Sequence, residues 1–129
     1  MNDIIFYDDT HKARYEELIK AYSYNGNTDS YRAALAYLIA LTDETYRNRS
    51  SLYNEQERAI IPEGLNAAFQ TGTTIRLTLL AFNLFTSSTA FCDDDMRVYC
   101  TPDHIFESSL APYFVEALKI RYPHSFEQL

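Results

Sequence analysis

At 129 residues, with 47% hydrophobic and 15% aromatic side chains but only 3 Gly and 4 Pro, the chain suits one domain around one core, folding without disulfides or metals. Asp and Glu total 18 against 11 Lys and Arg, a formal net charge of -7, which disfavours direct nucleic-acid binding and makes basic protein surfaces reasonable partners. No apolar run approaches the roughly 20 residues of a membrane span. The opening MNDIIFYDD is too short and acidic for a secretion signal, so a cytoplasmic location with Cys92 and Cys100 as reduced thiols is expected.

After a short extended start (Ile4 to Tyr7), Asp8, Asp9 and Thr10 offer N-caps for a helix through Tyr22. Tyr15, Leu18, Ile19 and Tyr22 make its inner stripe, and Lys12, Glu16 and Lys20 its solvated side. Asn25-Gly26-Asn27 reads as a turn. Asp29 or Ser30 caps a second helix, in which Tyr31, Ala34, Leu35, Leu38, Ile39 and Leu41 leave almost no polar face. That is the pattern of a central helix.

Thr42-Asp43 opens a short helix to about Arg49, and Ser50 to Arg58 reads as a loop or irregular helix. Pro62 starts a helix to Gln70, with Gly72 at its C′ position and Thr73 or Thr74 capping the next. Leu77, Leu79, Leu80, Phe82, Leu84 and Phe85 surround the axis of that second buried helix. Asp93-Asp94-Asp95 is read as a wet loop, and Arg97 to Cys100 leaves room for a short strand or hairpin near 91–100. Thr101-Pro102 starts a short turn, and a last helix runs from Leu110 to Arg121, stopped by Pro123. The fold class is mostly α: one domain over 1–129, a compact bundle of about five to six helices.

No catalytic, metal or cofactor constellation emerges. Cys92, Cys100 and His104 have the spacing C-x7-C-x3-H, which matches no common zinc arrangement, and the Asp triplet lacks the ligand alternation of a calcium loop. Gln70 to Thr74 with Arg76 is explained by a helix joint without a phosphate-loop pattern. His11, His104 and His124 lie near helix ends, where capping or solvation is their ordinary role. The 11 tyrosines stand out because a phenol suits both a core rim and a binding surface. Candidate partner-binding residues are Asp8, Asp9, Tyr22, Tyr24, Tyr46, Tyr53, Asp93, Asp94 and Asp95.

The runs PEGLNAAFQTGTTIRLTLLAFNLF from Pro62 and APYFVEALKIRYP from Ala111 resemble a family of short proteins of unknown function from Gram-positive bacteria and their mobile elements. The likeness extends to FYDDTHKARYEELI and to the Ala33 to Leu41 helix. It implies no reaction, cofactor or catalytic residue. It implies instead a setting of phages and conjugative elements, in which small acidic proteins bind and block host machinery. The expected role is a non-catalytic acidic protein-binding module, an anti-CRISPR-like inhibitor seated on a basic nucleic-acid-binding surface such as that of a Cas nuclease. A self-associating helical module is the second expectation, and a small enzyme with an unrecognised site the third.

Overall fold

Every residue from Ala34 to Leu41 is buried, and the other elements are arranged to cover them. The computed structural model describes residues 3–127; Met1 and Asn2 of the opening segment, and Gln128 and Leu129, lie outside the described residues. Seven α-helices are described: α1 (Asp9–Tyr22), α2 (Ser30–Ile39), α3 (Asp43–Arg47), α4 (Gly72–Thr86), α5 (Asp94–Arg97), α6 (Pro102–Ile105) and α7 (Ala111–Arg121). Helix α2 packs against α1, α4 and α7, and α4 also meets α6 and α7. Leu18, Tyr22, Leu35, Leu38, Leu77, Phe82 and Phe114 fill the space between them.

Local chemistry sets the helix starts. Asp8 Oδ1 accepts the His11 N–H at 2.8 Å, and Asp29 Oδ1 accepts that of Arg32 at 2.8 Å. These are the N-caps expected of Asp. Asn25 and Gly26 take positive φ, and Tyr24 and Asn27 exchange backbone hydrogen bonds across the turn, as the Asn-Gly pair suggested. The ends of α1 and α4 are closed by arginines: Arg58 donates to Tyr22 O at 3.1 Å, and Arg121 to Leu84 O at 2.9 Å. A cation there meets the negative end of the helix dipole and the carbonyls left without partners. Arg121 also lies 3.6 Å from the centre of the Tyr31 ring, tying α7 and α4 to the start of α2.

The structure departs from the sequence expectations in three places. The short strands are β1 (Tyr53–Asn54) and β2 (Ala59–Ile60), paired Tyr53↔Ile60 and Asn54↔Ala59, not a hairpin near 91–100. Asn54 Oδ1 organises their turn by accepting the Gln56 and Glu57 N–H groups, while Asp93 Oδ1 accepts the Met96 N–H and starts a helical turn instead of a strand. The helix expected from Pro62 to Gln70 is a single 3-10 segment, Pro62–Asn66. It stops early because Ala67 is extended, and Gln70 is used to bridge Gly64 O and Thr78 Oγ1. Gly72 is the first residue of α4, not a C′ glycine. Thr71 is the N-cap, and the Thr71 and Thr74 side chains form a reciprocal capping box. The bundle exceeds five or six helices because α5 and α6 are single turns of four residues each.

The extended segment before α1 is held by polar contacts inside an aromatic cluster. His11 is 1% exposed; its Nδ1 accepts the Tyr7 N–H at 3.0 Å, which assigns the proton to Nε2 and makes that nitrogen the donor to Tyr37 O at 2.9 Å. Tyr37 OH donates to Ile5 O at 2.6 Å, and the Ile5 N–H donates to Glu116 Oε2 at 3.0 Å. Phe6 and Tyr37 flank the imidazole, and Phe6 and Tyr15 flank the Tyr37 phenol. Burial holds the His11 pKa below its ordinary 6.5, the Tyr37 carbonyl and Asp8 opposing the shift only in part.

Two expectations follow. Leu38→Ala should cost about 2–5 kcal/mol in urea unfolding, and Leu38→Asp should abolish a cooperative melt by burying an unpaired charge. A depressed folded-state pKa means that the unfolded chain binds more protons below 6.5. The stabilisation from neutral His11 is therefore complete above 6.5 and is lost as pH falls toward the folded-state value. Urea midpoints should drop between about pH 7 and about pH 5 in the wild type, and His11→Gln should start lower but lose less over that interval.

Candidate functional site

Between Asp93 and Glu107 the chain carries five carboxylates, one arginine and one histidine. The segment is built from two single-turn helices, so nearly every side chain has solvent on one side. Asp93 caps α5, Asp94 Oδ1 pairs with Arg97 at 2.6 Å, and Asp95 is exposed. Arg97 also donates to Cys92 O at 2.9 Å. The Thr101 hydroxyl and the backbone N–H groups of Asp103 and His104 beside it hold the exposed Asp103 carboxyl below the usual range.

Beside this acidic lobe lies an apolar groove of about 240 Å³, lined by Ile75 and Leu79 of α4, Met96 of α5, Tyr99 and His104. The Tyr99 and His104 rings meet at 4.8 Å and form one wall. Tyr99 is 48% exposed and its chain neighbour Val98 66%, an arrangement that core packing does not call for. The nearest cation of α4, Arg76, is occupied by His104 O at 2.9 Å and Gly72 O at 2.8 Å. Arg76 and Arg97 are thus both committed to internal bonds, and the remaining carboxylates face water.

A second, polar cleft of about 490 Å³ is lined by the first turns or flanking residues of α1, α3, α4 and α7, among them Asp8, Thr10, Thr42, Asp43 and Thr73. Arg14 pairs with Asp43 at 2.6 Å across it, and that guanidinium holds the Asp43 carboxyl below the usual range. No histidine or cysteine lines it, and its Thr42 hydroxyl is bonded to Thr45. Its other aliphatic hydroxyls, those of Thr10, Thr73 and Ser109, line it together with the carboxylates of Asp8, Asp43 and Glu44. Among the described residues, no three of His, Cys, Asp and Glu converge as metal ligands would.

The sequence candidates fall into separate places. Asp93, Asp94 and Asp95 stand together on the acidic lobe, Asp8 borders the polar cleft, and Asp9 is exposed in the first turn of α1. Tyr24 is 63% exposed with Arg58 over its ring at 5.4 Å. Tyr46 lies between Arg14 and Arg49 and donates to Glu17 Oε1 at 2.6 Å. Tyr22 and Tyr53 do not stand on a binding surface: they are 1% and 2% exposed, their rings meeting at 4.5 Å and a tilt of 53° in the core. Their polar neighbours in sequence misled, because Arg32 reaches in to bond the Tyr53 hydroxyl at 3.0 Å and lets the phenol be buried. His11, expected at a solvated helix end, is likewise a core residue.

The groove residues Ile75, Leu79, Met96, Tyr99 and His104 escaped sequence reasoning. Ile75 and Leu79 are one turn apart on a helix that is apolar all round, and nothing local marks which face stays open. The one available signal was Val98-Tyr99, two large apolar residues among charges.

The family model described as "Family of unknown function (DUF6075)" matches residues 1–129. No curated protein and no solved structure matches the chain.

Proposed function

Because the chain belongs to that family of unknown function along its whole length, its role has to be sought on its own surface, and we propose that it is a non-catalytic acidic module that binds a basic protein surface. The observation that carries this reading is the acidic lobe. Its carboxylates outnumber cations five to one, the adjacent arginines are spent internally, and an apolar groove opens at its side. Carboxylates so placed steer a basic partner and substitute for phosphates on a nucleic-acid-binding surface. The groove has room for one large apolar side chain of that partner, the kind of anchor on which interface affinity concentrates. In its finer form the reading is an inhibitor from a phage or other mobile element that occupies the nucleic-acid channel of a host defence nuclease, as an anti-CRISPR protein does.

Self-association is the second reading. Ile5 is 61% and Tyr7 56% exposed, and the half-buried Tyr113 of α7 meets the Tyr7 ring at 5.5 Å, so the N-terminal segment carries a second set of exposed apolar side chains. Light scattering over a concentration series separates the two, since a monomer at all concentrations removes the second.

The direct test is titration of the purified protein against Cas nucleases with and without guide RNA. Binding that weakens with salt, together with loss of cleavage, is expected; no binding and unchanged cleavage in both arms overturns the inhibitor reading. On a partner so found, Asp95→Lys with Asp103→Lys should lower the association rate about tenfold and flatten its salt dependence. Tyr99→Ala should act mainly on dissociation, weakening binding by about tenfold, or ~1.4 kcal/mol.

A further inference from the structure

Cys92 and Cys100 are both free, and their sulfurs lie 3.5 Å apart. They stand at the two ends of the segment that carries α5, Val98 and Tyr99, and so at the base of the acidic lobe. Each is held in place by its backbone: the Cys92 N–H donates to Thr89 O at 3.0 Å and the Cys100 N–H to Arg97 O at 3.0 Å, while Arg97 returns a bond to Cys92 O at 2.9 Å. A disulfide needs the sulfurs at about 2.0 Å, so closure has only to shorten the 3.5 Å at which they already face each other. Spacing in the sequence gives no hint of this, because C-x7-C belongs to no redox motif; a helical turn followed by a tight turn folds the ends together.

We infer that Cys92 and Cys100 are a reversible dithiol–disulfide pair whose oxidant is a low-molecular-weight disulfide, and that closing it clamps the loop bearing Met96 and Tyr99. Cys100, the more exposed of the two, reacts first. Its thiolate attacks one sulfur of the small disulfide, forming a mixed disulfide and releasing one small thiolate, which takes up a proton. The Cys92 thiol then gives its proton to solvent and attacks the Cys100 sulfur. The mixed S–S bond breaks, the Cys92–Cys100 bond forms, and the second small thiolate leaves and is protonated. Two protein thiols are oxidised by two electrons, and one small disulfide is reduced to two thiols. Burial pushes the Cys92 thiol up, so the closing step is the slow one and accelerates with pH.

The clamp bears on function only through the groove, and in that respect it rests on the reading above; its chemistry does not. The test therefore needs no partner. The folded protein is equilibrated with oxidised and reduced glutathione over a range of ratios, at neutral pH and about two units higher. Digestion and mass analysis should then give one intramolecular link between Cys92 and Cys100, with loss of two hydrogens, formed faster at the higher pH. Hydrogen exchange at the amides from Asp94 to Tyr99 should slow in the oxidised form, and its melting midpoint should rise by roughly 5–10 °C. Cys100→Ser, which leaves the buried Cys92 untouched, should melt like the reduced wild type and show none of these changes. Recovery of only glutathione adducts or disulfide-linked dimers overturns the inference, and so does a closed disulfide that leaves exchange in 94–99 unaltered. Failure of the partner titration would leave all of these readouts standing.

Discussion

The burial of α2 is the constraint from which the architecture follows. From Ala34 to Leu41 no residue reaches solvent, so the helix needs neighbours on every side, and a helix with no polar face is stable only when others enclose it. α1, α4 and α7 supply that enclosure. The remaining gap is filled by the N-terminal segment, whose backbone would be costly to bury unsatisfied. His11, Tyr37 and Glu116 answer its N–H and C=O groups at Ile5 and Tyr7. These three side chains therefore make an extended strand-like piece compatible with a helical interior.

The long elements were legible because their apolar residues repeat at a period that survives tertiary context. α1, α2 and α7 were readable to within a residue or two, with Asp8 and Asp29 as caps, and α4 in its body and end, its start lying at Gly72 instead of Ile75. The segments 49–66 and 91–100 were not, although the helical turn beginning at Thr101-Pro102 was. Pieces of two to five residues carry too few side chains for any period to show, and their form is decided by single hydrogen bonds, such as those of Asn54 or Asp93, that local propensity does not rank. Gly72 illustrates the competition: a glycine after a supposed helix suggests a C-terminal cap, yet two threonines flanking it in a capping box make it a helix start.

Legibility of the candidate site was uneven for a different reason. Charge is visible in a sequence and stays at the surface, so the Asp93 to Asp95 cluster was found where it was expected. Tyrosine is ambiguous, because the phenol goes inside whenever a partner for its hydroxyl can be brought there. For Tyr53 that partner is Arg32, which stands 21 positions away. The groove depends on which turn of α4 the lobe fails to cover, a property of the assembled molecule.

Arg121 carries a consequence for the order of events during synthesis. Its guanidinium closes the end of α4, 37 residues earlier, and rests on Tyr31 at the start of α2. Until a ribosome has released α7, the flank of α2 that Phe114 and Ala117 cover stays wet and the last carbonyls of α4 stay unanswered. The interior of this protein can therefore close only once α7 has been made, so its core is completed late in synthesis.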